Sequence, residues 1–377
     1  MGGIVRPAPR IDNGAMHEGL QPAVGSGSDR RAARAIHIVG AGRLLAVEQP
    51  LPSADDRSSV VAPTYVGLCG TDVDLLEGTM AYFAQGLAHY PLQPGHEWSG
   101  RVTETRDPGL QAGQQVIMDP IVGCGRCQRC ADGRAAHCPD RWEIGVRNGL
   151  PGALATALAV PSANLVSVPA GVPLRDAVLV EPMVTVLGGL GRVRPRAGEA
   201  ALVVGAGTLG LLATMILASR GLAVRVLARS RAREASVEEA GGTPVRSITP
   251  TLKGRFEVVV EAAGSVEGVQ AAFAGVAAGG RVALLGIPAR PVELDIAALV
   301  IGDVSAHGIL NGPGQFHAAL ECLASGSVRP DVVIDRVFDF DDVAAAFARA
   351  SQSGRARPKV LVRMPDQAGG SGPIGAR

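Results

Sequence analysis

Aromatic side chains are scarce in this chain: seven Phe, three Tyr and two Trp among 377 residues. That argues against a deep aromatic pocket for a large apolar ligand, although Leu and Val can also line one. Charge is scarce as well. Lys, Arg, Asp and Glu make up 19% of the residues and the formal net charge is +1, so there is no long-range field to gather nucleic acid or an anionic membrane. The expected partner is small and uncharged. No apolar run approaches the ~18 residues of a membrane span, and the N-terminus shows no signal-peptide core. A cytoplasmic protein without a membrane partner is the expectation. Cysteines number only six, and five stand in metal-like contexts, where thiols of a large intracellular protein read as ligands more readily than as disulfides.

What is present in quantity is apolar residue, 47% of the chain, and length beyond the ~250 to 300 residues at which single cores stop growing. Two domains follow. Residues 1–34 are rich in Gly, Pro, Ser and Arg without apolar periodicity, so a disordered extension is expected there. From Ala35 to about Leu165, short apolar runs such as Ser59-Val60-Val61 and Gln115-Val116-Ile117-Met118 are separated by Gly and Pro, which reads as many short strands. Between about Arg175 and Leu310 strands such as Ala201 to Val204 and Val224 to Leu227 alternate with Ala-rich helices, the mark of βαβ units around a parallel sheet. After Gly312 the expectation is a helix over Gln315 to Ala324, a short strand at Val332 to Ile334, a helix opened by Asp341-Asp342 and a last strand over Lys359 to Val362.

Two groups of metal-binding residue types stand out. Cys69-Gly70-Thr71-Asp72 and Gly95-His96-Glu97 offer a thiolate and an imidazole, and Glu181 in Val180-Glu181-Pro182 is the expected third donor, bound directly or through water. Three protein ligands leave a fourth position open, as a catalytic zinc requires. Cys124-x-x-Cys127-x-x-Cys130 followed by Cys138 supplies four thiolates on one loop, a closed tetrahedral set for a structural zinc. A disulfide pair is the competing reading. Gly125 and Gly133 let that loop turn its sulfurs inward.

Gly205-x-Gly207-Thr208-Leu209-Gly210 follows a strand and opens a helix, the context that makes a glycine pattern a dinucleotide site. Where an NAD enzyme offers a carboxylate to the adenosine ribose, the next strand ends in Ala228-Arg229-Ser230-Arg231. Guanidinium and hydroxyl groups suit a ribose 2′-phosphate, so NADP is expected over NAD. Arg233 is a weaker candidate, and solvated helix-start arginines are the competing reading.

Taken in order, these four motifs resemble the zinc-dependent medium-chain dehydrogenases from about Ala35 to Arg363. The resemblance implies a GroES-like partial β-barrel catalytic domain (residues 35–174 and 312–377) with a structural zinc lobe, and a doubly wound Rossmann domain (residues 175–311). It implies that Thr71 passes on the substrate proton, that Asp72 orients the ligating His96, and that Glu97 lies beside the metal and ligates it transiently. Dimers or tetramers are expected of the family. The Glu181-Pro182 pair is similar to the polyol, glucose and threonine dehydrogenase branch, and Ala228 to Arg231 and His307 to Asn311 to its NADP-using glucose dehydrogenases. The implied activity is hydride transfer between NADP(H) and a secondary alcohol or ketone of a polyol, sugar or cyclitol. An NADPH-consuming ketone reductase of a biosynthetic pathway and a non-catalytic nucleotide-binding relative are the alternatives.

Overall fold

Ala32, Ala33 and Arg34, the last three residues of the segment read as an extension, pair in a hairpin with Glu48 to Pro50. The computed structural model describes residues 32–365, and residues 1–31 of that expected extension lie outside them. Strand β1 (Ala32–Gly40) turns at Gly42, whose φ of +71° favours glycine, and returns antiparallel as β2 (Arg43–Pro50). Then come β3 (Ser58–Leu68), the helix Gly70–Glu77, β4 (Glu97–Glu104), β5 (Gln115–Met118), the small hairpin β6 (Ile121–Val122) and β7 (Trp142–Glu143), β8 (Leu158–Pro161) and β9 (Leu165–Ser167). Strand β3 is mostly buried along its length and crosses the middle of its sheet. Its one proline, Pro63, sits where the pairing with β4 shifts register, the place a strand tolerates a missing N–H. Trp98 packs 2% exposed in the core of this unit with Val66, Met118 and Phe347, so it is a core residue.

The helix Val180–Val193 leads into six parallel strands, β10 (Ala200–Val204), β11 (Ala223–Leu227), β12 (Thr243–Val245), β13 (Phe256–Glu261), β14 (Val276–Leu284) and β15 (Ser305–Gly308). Their order is β12-β11-β10-β13-β14-β15, the doubly wound arrangement in which ligands bind at the carboxyl ends where the order reverses, here between β10 and β13. Strand β10 is apolar on both faces and the helix Thr208–Ser219 is buried at every residue from Gly210 to Leu217. Such all-round apolar sequence forms inner elements.

Strands β16 (Ile334–Asp339) and β17 (Lys359–Arg363) close the chain into the first sheet, ordered β16-β17-β3-β4-β5-β9 with β8 on β3. Among the described residues, 32–178, 337–351 and 360–365 make one compact unit, and residues 179–336 and 352–359 the other. The second unit runs past the expected boundary at 311 to Arg336 because the helix Phe316–Ala324 packs on the helix Val180–Val193. The strand expected at Val332 to Ile334 starts only at Ile334. Pro330 opens a 3-10 turn over Pro330–Val332 instead, and proline has no N–H for a ladder.

Candidate metal centres and nucleotide cleft

Cys69 is the N-cap of the helix Gly70–Glu77, and the cap builds the first centre. Its sulfur accepts the Thr71 N–H at 3.2 Å, while Asp72 Oδ2 accepts the Cys69 N–H at 3.0 Å. The other oxygen of Asp72, a side chain with no exposure, accepts the Gly95 N–H at 3.3 Å and lies 3.6 Å from His96 Nδ1. His96 Nε2 then faces Cys69 Sγ at 3.2 Å. One carboxylate thus fixes both the cysteine and the histidine segments. Glu97 starts β4, and directly opposite it in β3 stands Gly67, where a Cβ would come within 2.7 Å of the Glu97 carboxylate and 2.8 Å of Val178. Only glycine leaves Glu97 its room.

The ligand atoms of Cys69, His96 and Glu97 all lie within 4.8 Å of one another. Soft sulfur, imidazole and carboxylate are zinc donors, and their span suits a shared cation. Burial pushes the Cys69 thiol up, against the pull of His96. Burial also works against a charged His96, but the neighbouring Cys69 and Asp72 outweigh it and hold the imidazole well above its usual value. Thr71 is half-buried in the first turn. Glu181 belongs to the second unit, in the first turn of the helix Val180–Val193, next to Pro182. A proline there forgoes only an N–H that has no helical partner.

Cys124, Cys127, Cys130 and Cys138 form the second centre. Sulfur separations of 3.6 Å (Cys127 to Cys130), 3.8 Å (Cys127 to Cys138) and 4.0 Å (Cys124 to Cys130) match the ~3.8 Å edge of a tetrahedron with Zn–S bonds of about 2.3 Å. All four are free thiols, an arrangement open to a shared cation. Gly125 and Gly133 take φ values of +69° and +71°, as the sequence led one to expect. The Cys127 sulfur accepts the Cys130 N–H and falls to about 7, while burial pushes Cys130 up to about 12. The lobe is fastened to the chain around Tyr82. Glu143 accepts the Tyr82 hydroxyl at 3.1 Å and the Arg141 Nε at 2.8 Å.

In the second unit a cleft of about 500 Å³ opens at the carboxyl ends of β10 and β11. Gly205 and Gly207 line it, and Gly207 caps the helix that begins with Thr208 and Leu209. A Cβ on Gly210 would sit 1.9 Å from the Gly205 carbonyl, so helix and strand meet backbone to backbone. The free N–H groups of that helix start make an anion site. Arg229 and Ser230 line the cleft, whereas Arg231 opens a 3-10 turn and lies outside the lining.

Three lining or neighbouring residues went unread or under-read in the sequence. Arg233 donates to the Ala206 carbonyl at 2.7 Å and to the Arg355 carbonyl, clamping the glycine turn, and burial lowers it to about 10. Arg246 lines the cleft from the end of β12. Its signal was an Arg-Ser pair that repeats Arg229-Ser230. Glu261 ends β13 wholly buried and accepts the N–H groups of Ala263 at 2.8 Å and Gly264 at 3.0 Å. Burial pushes its carboxyl up against those bonds, and its signal was a lone carboxylate after Val258-Val259-Val260.

Two family models divide the chain between them. The alcohol dehydrogenase GroES-like domain matches residues 55–170 and the glucose dehydrogenase C-terminus matches residues 176–356. An uncharacterized zinc-type alcohol dehydrogenase-like protein of Haemophilus influenzae is 28% identical over 323 residues, which span 82% of this chain and 92% of that protein. The 2-dehydro-3-deoxy-L-galactonate 5-dehydrogenase of Pseudoalteromonas atlantica is 28% identical over 300 residues, 75% of this chain and 85% of that one. A Sinorhizobium meliloti structure described as a putative zinc-binding dehydrogenase bound to NADP superposes with a TM-score of 0.80 at 24% identity, covering 89% of this chain and all of that one. At that identity the likeness is one of fold.

Proposed function

Because the chain belongs to the zinc-type alcohol dehydrogenase-like family of oxidoreductases, we propose that it transfers hydride between NADP(H) and a secondary alcohol or ketone of a polyol, sugar or cyclitol. The observation that carries this reading is the cluster of Cys69, His96 and Glu97, three zinc donors, the first two of them held by one buried aspartate. Zinc at such a set supplies Lewis acidity, the effect that takes bound water from a pKa of 15.7 to about 7. Cys69 and His96 would hold it, with Glu97 beside it and Glu181 as our proposed further donor, direct or through water. Asp72 holds the imidazole in orientation. Thr71 accepts the proton of the substrate hydroxyl and passes it outward. A nicotinamide bound in the cleft would supply the hydride acceptor, so that alcohol and NADP would give ketone, NADPH and a proton. The sugar-acid substrate named for the Pseudoalteromonas relative supports a polar alcohol here, as does the shortage of aromatic residues.

Glycine-turn amides bind the pyrophosphate in this reading, and Arg229 with Ser230 favours NADP because no carboxylate stands at the end of β11. The cysteine lobe holds a second, structural zinc, whose thiolates fit a reducing compartment such as the cytoplasm. No helix among the described residues is long and apolar enough to cross a membrane. We also propose a homodimer formed through β15, the free edge of the six-stranded sheet. Beside it the helix Ile296–Ile301 is apolar throughout and buries no residue, with Ile301 86% and Val300 74% exposed. Contiguous apolar surface next to an unpaired strand edge marks an association face.

The test is a panel of polyols, sugars and cyclitols assayed with NADP and NAD in parallel, alongside zinc analysis. Turnover with NADP and two zinc ions per chain are expected. Tenfold preference for NAD overturns the cofactor assignment, and full turnover by Cys69→Ala overturns the role given to the metal cluster.

A further inference from the structure

Two Arg-Ser pairs stand side by side at the rim of the nucleotide cleft. Strands β11 and β12 run parallel with Leu227 opposite Val245, and the Ala228 N–H donates to the Val245 carbonyl at 3.0 Å. Continuing the same register, Ala228-Arg229-Ser230 leaves β11 beside Arg246-Ser247 leaving β12. All four of Arg229, Ser230, Arg246 and Ser247 line the cleft. Neighbouring strands lie about 4.8 Å apart, so the two Arg-Ser pairs stand about one strand spacing from each other on the cleft wall.

Arg233, the third arginine of the lining, is committed elsewhere: its hydrogen bonds go to the carbonyls of Ala206 and Arg355. Arg229 has no ion pair among the described residues. Arg246 pairs with Glu234, and both side chains keep more than a third of their surface in solvent. An exposed pair of that kind is weak and exchanges readily for a better anion. Glu267, the acidic residue in the cleft lining, lies beyond β10 at the start of the helix Val266–Gly275, away from the Arg-Ser pairs.

We propose that Arg246 and Ser247 complete the 2′-phosphate site begun by Arg229 and Ser230, so that Arg246 is a specificity-determining residue for NADP over NAD, with Glu234 as the counter-charge it leaves when the phosphate binds. The inference rests on NADP(H) being the cofactor. A ribose 2′-phosphate carries −1.5 to −2 charge near neutral pH, which two arginines match and one does not. The sequence of the β11 end alone presents half of the cradle.

Titration of the full chain with NADPH, NADH, adenosine 2′,5′-bisphosphate and adenosine 5′-monophosphate, followed by nicotinamide fluorescence or calorimetry, separates the possibilities. Arg246→Ala is expected to weaken NADPH and the 2′,5′-bisphosphate about tenfold or more, the usual weight of a hydrogen bond to a charged group, and to leave NADH and the 5′-monophosphate within twofold. Arg246→Lys recovers part of the loss, and Glu234→Gln tightens NADPH. If the wild type prefers NADH, the cofactor reading itself falls and this inference with it. If the wild type prefers NADPH but Arg246→Ala leaves the NADPH to NADH ratio unchanged, Arg246 has no such role. Equal losses for both cofactors also overturn the proposal, since they report a damaged cleft rather than a missing phosphate contact.

Discussion

Asp72 accepts from the backbone on both sides of the metal cluster, from Cys69 and from Gly95, and faces the far nitrogen of His96. Asp72→Asn keeps the size but loses the charge that holds an imidazole N–H toward it. Removal of such a supporting partner costs about 10- to 100-fold in metal affinity or activity, and that loss is expected here in kcat/KM with the fold intact by circular dichroism. A change under twofold contradicts the positioning role. Glu261 gives a second residue-scale expectation. Its carboxyl is raised by burial, so its contribution to stability is fully present below the unfolded value and is lost as pH rises through the folded one. Glu261→Gln, neutral at every pH, should flatten the fall in thermal midpoint on going upward from about pH 4.5, measured by scanning fluorimetry; parallel curves for both proteins refute it. The cysteines, His96 and Glu97 were legible as metal-binding types, and the structure gathers Cys69, His96 and Glu97 into one cluster. Glu261 and Arg246 were not legible, because burial and register across a parallel sheet are properties of the fold and leave only faint marks in composition.

At the scale of elements, the cysteine lobe is a loop with little secondary structure whose sulfurs already sit at tetrahedral spacing. One part-buried anchor to the neighbouring chain is the group of Tyr82, Arg141 and Glu143. Cys124→Ser should remove one zinc per chain and lower the thermal midpoint by about 5 °C or more, given ~2 to 4 °C per kcal/mol for a domain of this size; atomic absorption and calorimetry check it, and unchanged zinc content refutes it. Strands β3, β5, β10 and β11 announced themselves as apolar runs. Strand β2 did not, since Arg43–Pro50 is exposed or half-buried along its whole length and offers no buried face. The turn at Pro330 was missed for the opposite reason: apolar Val332 and Val333 look like a strand until proline withholds its N–H.

For the whole molecule, the family motifs fix two units, but the boundary depends on which helices share a core. The helix Phe316–Ala324 packs with the helix Val180–Val193 and draws residues as far as Arg336 into the second unit, a long-range packing choice that periodicity does not encode. The bare apolar helix Ile296–Ile301 beside the sheet edge carries the association prediction. Val300→Asp with Ile301→Asp should convert the proposed dimer to monomer in analytical ultracentrifugation while nucleotide binding persists. A wild type that sediments as a monomer, or a charged variant that stays dimeric, counts against that edge.

Gly205 and Gly210 touch through their main chains, and any side chain at either would collide with the neighbouring backbone. The famous spacing is therefore a demand of wall construction before it is a demand of the guest. A descendant of this chain that had abandoned chemistry would have to keep both glycines to keep standing, while being free to discard Cys69, His96 or Arg246. Whether such a relative still works is to be read from its donors and its rim, never from its glycines.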